Sequence, residues 1–291
     1  MIVKDQVIFA LGEKDNAIQA NTNEKVEIYT KDCFNCQIDS EDYKFDVLDW
    51  DHINPATGPI YIEEAKAGDV LKVSILDIEL DEEGTMCCLP DSGILGKDIT
   101  SDQVKKIKVK NNVCTFNDLE IPVNPMIGVI GVAPKEDSVN CGTPGNHGGN
   151  MDNKRITKGS TLYLPVFHDG AYFACGDVHA AMGDGEIMVS GVEINAKVTL
   201  KFEVIKGISI EEPRLEDENY IYTISSNENI DEAIYSCTKT MNEILCKHLK
   251  YSLNDAGMLL SCVGNLQICQ VVDPAKTVSM SIPKFICNKV L

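Results

Sequence analysis

Positive charge is scarce in this chain. The chain has 26 lysine and arginine residues and 45 aspartate and glutamate residues, which gives a formal net charge of −19. A surface of that sign repels nucleic acids and anionic membranes, whose phosphates need basic partners, and it attracts cations. The composition therefore argues against nucleic-acid and membrane partners and is compatible with a bound divalent metal ion.

Long apolar runs are missing as well. No segment approaches the roughly 18 apolar residues that a membrane-spanning helix requires. The N-terminal stretch MIVKDQVIFALGEKDNA carries Lys4 and Asp5 within its apolar residues, unlike the continuous apolar region of a secretory signal peptide. We therefore expect a cytoplasmic protein.

Cysteine, by contrast, is abundant, with 12 residues. Several, such as Cys175 and Cys246, stand in apolar runs, where a thiol behaves as a small apolar side chain. Cys33 and Cys36 have the C-x-x-C spacing of zinc knuckles and thiol redox sites, but no second such pair follows. We predict reduced, structural cysteines, with a redox role for Cys33 and Cys36 as the alternative.

Several catalytic signatures are absent. The sequence contains no G-x-S-x-G nucleophile elbow, no P-loop and no dinucleotide-binding fingerprint. Cys175 borders a glycine-rich polar segment, but its YFAC context predicts a buried strand. A thiol nucleophile is therefore only the weaker alternative.

Residues 1–210 contain many short segments rich in β-branched residues, separated by turn residues. Without intervening helices, this pattern predicts a mainly β, antiparallel sandwich or barrel-like fold. The predicted strands are Val26–Tyr29, Val70–Ile78, Lys106–Val109, Gly128–Val132, Thr161–Phe167, Ala171–Cys175, Gly185–Val192 and Ala196–Ile205.

Residues 211–291 have a different pattern. Apolar residues recur at helical spacing over Ile230–Leu249, and a second helix is predicted over Asn254–Val263, with Asn254 or Ser252 as its N-cap. Strands are predicted before and after these helices. The expected organisation is a β-rich catalytic sandwich over 1–210 and a smaller α+β portion over 211–291 packed on it.

Histidines, acids and glycines cluster in three segments, residues 49–59, 145–152 and 176–186. These hold His52, His147 and His179, which are three of the five histidines in the chain. Imidazole and carboxylate are the usual ligands of zinc and related ions. Asp177 and His179 are two residues apart, which in a strand places both side chains on one face.

An isolated His-x-Asp pair is more often a structural hydrogen-bonded pair than a metal site. Three such segments on a β scaffold favour function instead, because loops on a rigid framework commonly carry it. We therefore predict that the three imidazoles and their acids share one cleft.

The motifs HGGNMD at 147–152, GDVHAAMGDGE at 176–186 and NPATGP at 54–59 resemble those of the acetamidase/formamidase family. The resemblance spans most of the chain in the family's order. It implies a β-sandwich-rich fold, hydrolysis of short amides such as formamide or acetamide, a divalent metal (Zn²⁺, with Ca²⁺ as the alternative), and a homodimer or higher homo-oligomer. The family's motif positions fall on His52, His147, Asn150, Asp152, Asp177, His179, Asp184 and Glu186.

A metal ion would assist amide hydrolysis by lowering the pKa of its bound water and by polarising the carbonyl. We expect Asp177 and His179, together with His52 or His147, to hold it. Asp152 and Asp184 would orient these ligands or hold a structural Ca²⁺.

Glu186 is the predicted general base, and Asn150 with the backbone amides of residues 148–149 is the predicted oxyanion donor. The alternative function is a non-catalytic, metal- or small-molecule-binding β-domain. Met182 stands where the family usually has glutamine, which bears on substrate preference if it lines the pocket.

Overall fold

A computed structural model describes residues 1–291. Strands make up 40% of the chain and helices 14%, which confirms the predicted mainly β class. The strands are β1 (Ile2–Val3), β2 (Val7–Ile8), β3 (Ala10–Leu11), β4 (Ile18–Ala20), β5 (Lys25–Thr30), β6 (Ala56–Ile62), β7 (Val70–Leu80), β8 (Glu83–Cys88), β9 (Gln103–Lys110), β10 (Val113–Phe116), β11 (Leu119–Pro122), β12 (Met126–Gly131), β13 (Val139–Asn140), β14 (Gly148–Asn150), β15 (Thr161–Pro165), β16 (Phe173–His179), β17 (Glu193–Ile194), β18 (Ala196–Ile205), β19 (Arg214–Glu216), β20 (Tyr220–Asn227), β21 (Asn265–Gln270) and β22 (Lys276–Pro283). The helices are α1 (Ile230–Leu249) and α2 (Leu253–Val263), and single 3₁₀ turns span Phe45–Val47, Trp50–His52 and Gly96–Asp98.

Two large sheets form the body of the protein. The first has nine strands in the order β1-β5-β18-β7-β15-β19-β20-β22-β21. The second has eleven, with β11-β10-β9-β8-β17-β16-β12-β14 as its main path and β6, β2 and β4 attached beside β16. Neither sheet closes on itself, so the fold is a sandwich and not a barrel.

The main core lies between the two sheets. Its 36 buried residues come from the inner faces of both, and Phe202 of β18 meets Phe173 of β16 at a ring-centroid distance of 4.9 Å. Along β18, buried Val198, Leu200 and Phe202 alternate with partly exposed polar residues, as the sequence pattern predicts. Each such side chain contributes about 1.5–3 kcal/mol through burial.

The helices cover the other face of the nine-stranded sheet. The side chain of Asn229 caps α1 by accepting a hydrogen bond from the backbone N–H of Asp231. The apolar stripe of α1 joins a second cluster of 16 buried residues, to which β20 contributes Ile221, whereas its neighbour Tyr222 points into the main core. Neither helix combines the length and the apolar character that a membrane crossing needs.

The two predicted portions of the chain share one sheet. Strand β19, which follows residue 210, pairs with β15 through Leu162 and Leu215. The helices α1 and α2 begin at Ile230 and Leu253, close to their predicted starts, and Ser252 is the N-cap of α2.

One predicted strand, Gly185–Val192, is wrong. Gly185, Glu186 and Val189 adopt φ values of +98°, +48° and +68°, all outside the extended region. The segment is an irregular loop, and only Glu193–Ile194 pairs as a strand. This loop places Glu186 and Glu193 at the same end of β16.

Candidate functional site

Strand β16 is the central element of the site, and every residue from Phe173 to His179 is buried. Asp177 has a φ of +53°, so the strand is distorted there. The side chains of Asp177 and His179 nevertheless meet, with Oδ1 of Asp177 3.4 Å from Nε2 of His179. The two-residue spacing thus brings both groups to one face.

Strand β17 adds a second carboxylate. Its residue Glu193 is directly opposite His179 in the antiparallel register, and its Oε2 lies 2.9 Å from Nε2 of His179. The contact lacks the alignment of a hydrogen bond. Sequence reasoning gave Glu193 no role, because only the sheet register reveals that it is the cross-strand partner of His179.

Asp152 reaches the same point from the segment that follows β14. Its Oδ1 lies 3.9 Å from Nε2 of His179. Gly128 of β12 makes room for this approach, since a Cβ atom there would lie 2.4 Å from Oδ1 of Asp152 and 2.5 Å from Oδ2 of Asp177. Any side chain at position 128 would fill the space where the two carboxylates converge.

Glu186 and Asp273 complete the group. Ligand atoms of Asp152, His179 and Glu186 all lie within 4.8 Å of one another. Asp273, in the loop after β21, accepts a hydrogen bond of 3.0 Å from Nδ2 of Asn150. The sequence held no signal for Asp273 beyond its place in a family-like stretch.

A cavity of about 290 Å³ opens onto this group, although Asp152 is fully buried and does not itself line it. This volume is close to the lower end of ligand cavities, which span roughly 300–1,000 Å³. Its polar lining consists mainly of Cys33, Asn54, Ser92, Asn140, Thr143, Asn150, Asp177, His179, Glu186, Glu193 and Asp273, and its apolar walls include Phe34, Trp50, Ile53 and Leu89. The space suits a small polar molecule with a short apolar end.

The charges of this group are not balanced within the protein. No lysine or arginine nitrogen lies within 4.0 Å of the carboxylates of Asp152, Asp177, Glu186, Glu193 and Asp273, and the ion pairs of the group are all with His179. Burial raises the pKa of Asp152, Glu186 and Asp273 well above the usual range and that of Glu193 to about 7. For His179, burial alone would lower the pKa, but the carboxylates of Glu193 and Asp177 outweigh it and raise the pKa.

Unpartnered atoms mark the same spot. Both carboxylate oxygens of Asp152 and Oδ1 of Asp177 are buried without a hydrogen-bond partner. Leaving such a group unpaired costs about 1–3 kcal/mol, and more when it is charged. Carboxylate oxygens and imidazole nitrogen are ligands that divalent zinc accepts, so the donor set fits a bound divalent cation.

The sequence model of the acetamidase/formamidase family matches residues 13–141 and 137–289. The chain belongs to this family. The crystal structure of an acetamidase from Bacillus halodurans superposes with a TM-score of 0.97 and 41% identity, covering 100% of this chain and 99% of that one. The crystal structure of a predicted acetamidase/formamidase from the thermophile Thermoanaerobacter tengcongensis superposes with a TM-score of 0.96 and 46% identity. The match covers 99% of this chain and 96% of that one.

Curated relatives of the family match over shorter stretches. A Schizosaccharomyces pombe protein that carries a formamidase name is 28% identical over 250 residues, which is 64% of this chain and 61% of that protein. The acetamidase of Mycolicibacterium smegmatis is 42% identical over 65 residues, 22% of this chain. The chain thus spans 61% of the first of these relatives and 16% of the second.

Two family motif residues lie at the surface, outside the buried group. His52 is half-exposed, its Nδ1 is 2.7 Å from Oδ2 of Asp49, and its ring packs edge-on against Phe9. Asp184 is exposed and forms an ion pair of 2.9 Å with Lys154. Both side chains have a charged partner, and neither lines the cavity of about 290 Å³.

His147 is buried but does not line the cavity. A Cβ atom at Gly149 would lie 3.1 Å from Nε2 of His147, and this nitrogen has no hydrogen-bond partner. Burial lowers the pKa of His147 to about 4, so the imidazole is neutral at physiological pH. The predicted cleft therefore gathers one of the three imidazoles, His179, and the two others lie outside it.

The cysteines are all free. Cys175 is fully buried in β16 and does not line the cavity, and burial raises its pKa to about 12. Those properties are the opposite of what a thiolate nucleophile needs. Met182 lines a separate, mainly apolar cavity of about 530 Å³ and is absent from the wall of the smaller one.

Proposed function

We propose that this protein hydrolyses a short aliphatic amide, of the formamide or acetamide type, to the carboxylate and ammonia in a metal-dependent reaction. The observation that carries the proposal is the convergence of Asp152, Asp177 and His179, with unpartnered oxygens, beneath a small cavity in a member of this family. The alternative, a non-catalytic binding domain, has no structural feature that favours it over the enzyme.

Asp152, Asp177 and His179 are the proposed metal ligands. Their facing atoms are 3.4 Å and 3.9 Å apart, separations compatible with ligands that each lie about 2.0–2.2 Å from one ion. When bound, a divalent ion supplies Lewis acidity toward the carbonyl oxygen and lowers the pKa of a coordinated water to about 7. Zn²⁺ is the proposed ion, with Ca²⁺ as the weaker alternative for an oxygen-rich site.

Glu186 is the proposed general base. It borders the cavity, is 7% exposed, and burial raises the pKa of its carboxyl, which favours uptake of a proton from water. Oε of Glu186 takes the proton of the attacking water and passes it to the leaving nitrogen. Proton transfer of this kind contributes about 10²–10⁴-fold to rate.

Asn150 is the proposed oxyanion donor. One N–H of its side-chain amide is held by Oδ2 of Asp273, which fixes the orientation of the amide. The second N–H of the same nitrogen is free to donate to the substrate carbonyl as negative charge develops there. A donor of this kind contributes about 10²–10³-fold to kcat.

The substrate class follows from the cavity. Its volume of about 290 Å³ and its walls of Phe34, Trp50 and Leu89 suit an acyl group of few carbons. We expect ammonia release to be fastest with formamide, acetamide or propionamide and to fall as the acyl chain lengthens. If none of these amides released ammonia, the proposed amidase activity would be refuted and the non-catalytic binding domain would remain.

The same preparation tests metal dependence. Treatment with a chelator should abolish ammonia release, and Zn²⁺ should restore it. A Cys175→Ala variant distinguishes the remaining alternative, because ammonia release depends on that thiol only if Cys175 is the nucleophile.

We further propose a cytoplasmic location and a homodimer or higher homo-oligomer. The 12 free cysteines support a reducing compartment. Exposed apolar side chains on the helices, Tyr235, Leu253 and Met258, support contact with another copy. Light scattering of the purified protein gives the oligomeric state directly.

A further inference from the structure

The thiol of Cys33 lies against the buried carboxylates and is used by no step proposed above. Sγ of Cys33 and one oxygen each of Asp177 and Glu193 all lie within 4.8 Å of one another. Cys33 also lines the cavity of about 290 Å³. A thiol, two carboxylates and a space shared by them are the parts of a second cation site.

The loop that carries Cys33 is held by several hydrogen bonds. Oδ1 of Asp32 accepts from the backbone N–H of Cys36 at 2.8 Å, and Oδ1 of Asn195 accepts from that of Asp32 at 2.8 Å. The carbonyl of Cys33 accepts from the N–H of Asn54 at 2.6 Å. Cys33 is thereby fixed toward the cavity, whereas Sγ of Cys36 is exposed and contacts Oδ1 of Asn195 at 3.3 Å.

The carboxylate oxygens near Cys33 accept no hydrogen bond, and their one charged neighbour is His179. Asp177 is 2% exposed and Glu193 is 1% exposed, and Oδ1 of the first and Oε2 of the second lack a hydrogen-bond partner. Zn–S bonds of about 2.3 Å and Zn–O bonds of about 2.0–2.2 Å allow ligands of one ion to be up to roughly 4.5 Å apart. The ligand atoms of the three side chains lie within 4.8 Å of one another, so small side-chain shifts bring all three to one ion.

Charge favours a second ion independently of distance. Five carboxylates converge here, those of Asp152, Asp177, Glu186, Glu193 and Asp273, and no lysine or arginine pairs with them. When all are ionised, one divalent ion leaves about three negative charges in a buried volume, and two ions together with a Cys33 thiolate leave about two. Burying uncompensated charge is strongly unfavourable, so two ions balance the group better.

We propose that the centre holds two divalent ions, the second bound by Cys33, Asp177 and Glu193, with Asp177 shared between them. The inference rests on the proposed function for the first ion. A thiolate ligand favours Zn²⁺ over the hard ions Ca²⁺ and Mg²⁺, so the second site selects zinc. Paired ions of this type clamp the attacking and leaving atoms of a hydrolysed bond.

The test counts ions per chain. Wild-type protein is stripped with a chelator, reloaded with Zn²⁺, freed of loose metal and analysed by mass spectrometry. We expect two ions per chain in the wild type, one in Cys33→Ala and two in the matched control Cys36→Ala. Thermal unfolding shows that each variant is folded.

Each outcome is decisive. One ion in the wild type overturns the second site and leaves the proposed function intact, whereas no ion overturns both. Loss of both ions, or of neither, in a folded Cys33→Ala chain also overturns the assignment.

Cobalt gives a second readout that does not depend on activity. Co²⁺ bound by a thiolate absorbs in the near ultraviolet through sulfur-to-metal charge transfer. This band should appear in the Co²⁺-loaded wild type and Cys36→Ala and be absent from Cys33→Ala. A band that persists in Cys33→Ala would assign the thiolate to another cysteine and refute the proposal.

Discussion

Two histidine–acid pairs in this protein look alike in the sequence and differ in the structure. His52 and Asp49 form a solvated pair at 2.7 Å, with side chains 54% and 55% exposed. His179 faces Asp177 and Glu193 at 3.4 Å and 2.9 Å, with all three side chains at most 3% exposed. An exposed pair contributes about 0–1 kcal/mol and needs nothing further. The buried group keeps unpartnered atoms, and the proposed metal site rests on that difference.

The largest contrast is expected between the two histidines themselves. His179→Ala removes a proposed metal ligand and should lower kcat/KM for a short amide by at least about 10³-fold, because the Lewis acid is worth several kcal/mol. His52→Ala should stay within about twofold of wild type, since its partner Asp49 is solvated. Ammonia release measures both, with far-ultraviolet circular dichroism as the folding control. Equal activity in the two variants would remove the distinction between the pairs.

A glycine substitution can disturb the buried carboxylates while every proposed ligand stays in the chain. Gly128→Ala puts a methyl group 2.4 Å from Oδ1 of Asp152, so the carboxylates must separate. We expect bound metal to be lost and kcat/KM to fall by about 10²-fold, since misplacement of about 1 Å can cost that much. Gly257→Ala in α2 is the matched control, because nothing lies within 4 Å of the added carbon. Full metal occupancy in Gly128→Ala would contradict the convergence of Asp152 and Asp177.

The buried His147 should make stability sensitive to acid. Its pKa is lowered from 6.5 to about 4, so the unfolded chain binds the proton first as pH falls. The stability that depends on the neutral imidazole is complete well above pH 6.5 and is lost progressively as the pH falls toward 4. The loss amounts to about 2 kcal/mol at pH 5. Between pH 7 and pH 5, urea unfolding should show a smaller decrease in stability for His147→Gln than for wild type. Identical slopes for the wild type and His147→Gln would refute the idea.

The smallest effect is expected at Asp184. Asp184→Asn breaks the partly exposed ion pair with Lys154, and such pairs contribute about 0–1 kcal/mol. Metal content and kcat should stay at wild-type values. If Ca²⁺ stabilised the wild type against unfolding but not Asp184→Asn, Asp184 would instead be a calcium ligand.

Local pattern was sufficient to predict much of the fold. The helical spacing of apolar residues over Ile230–Leu249 predicts α1 with its observed bounds. The alternation of apolar and polar residues over Ala196–Ile205 predicts β18 in the same way. The Gly185–Val192 segment was misjudged, since its β-branched residues favour a strand while the positive φ angles at Gly185, Glu186 and Val189 depend on the tertiary contacts around it.

The site was only partly predictable for a related reason. Asp177 and His179 are neighbours in one strand, so their meeting follows from local geometry. Glu193 joins them through the pairing of β16 with β17, and Asp273 through a loop almost 100 residues away in sequence. Proximity in sequence also made His52 look equivalent to His179, because burial cannot be read from a motif.

We expect amide hydrolysis to depend on a divalent ion held by Asp152, Asp177 and His179. The direct measurement titrates Zn²⁺ into metal-free protein while bound zinc and ammonia release from acetamide or formamide are followed together. We expect negligible turnover without metal and a rise in turnover that follows zinc binding in the wild type, with no rise in His179→Ala. Undiminished turnover in protein shown to contain no metal would contradict it.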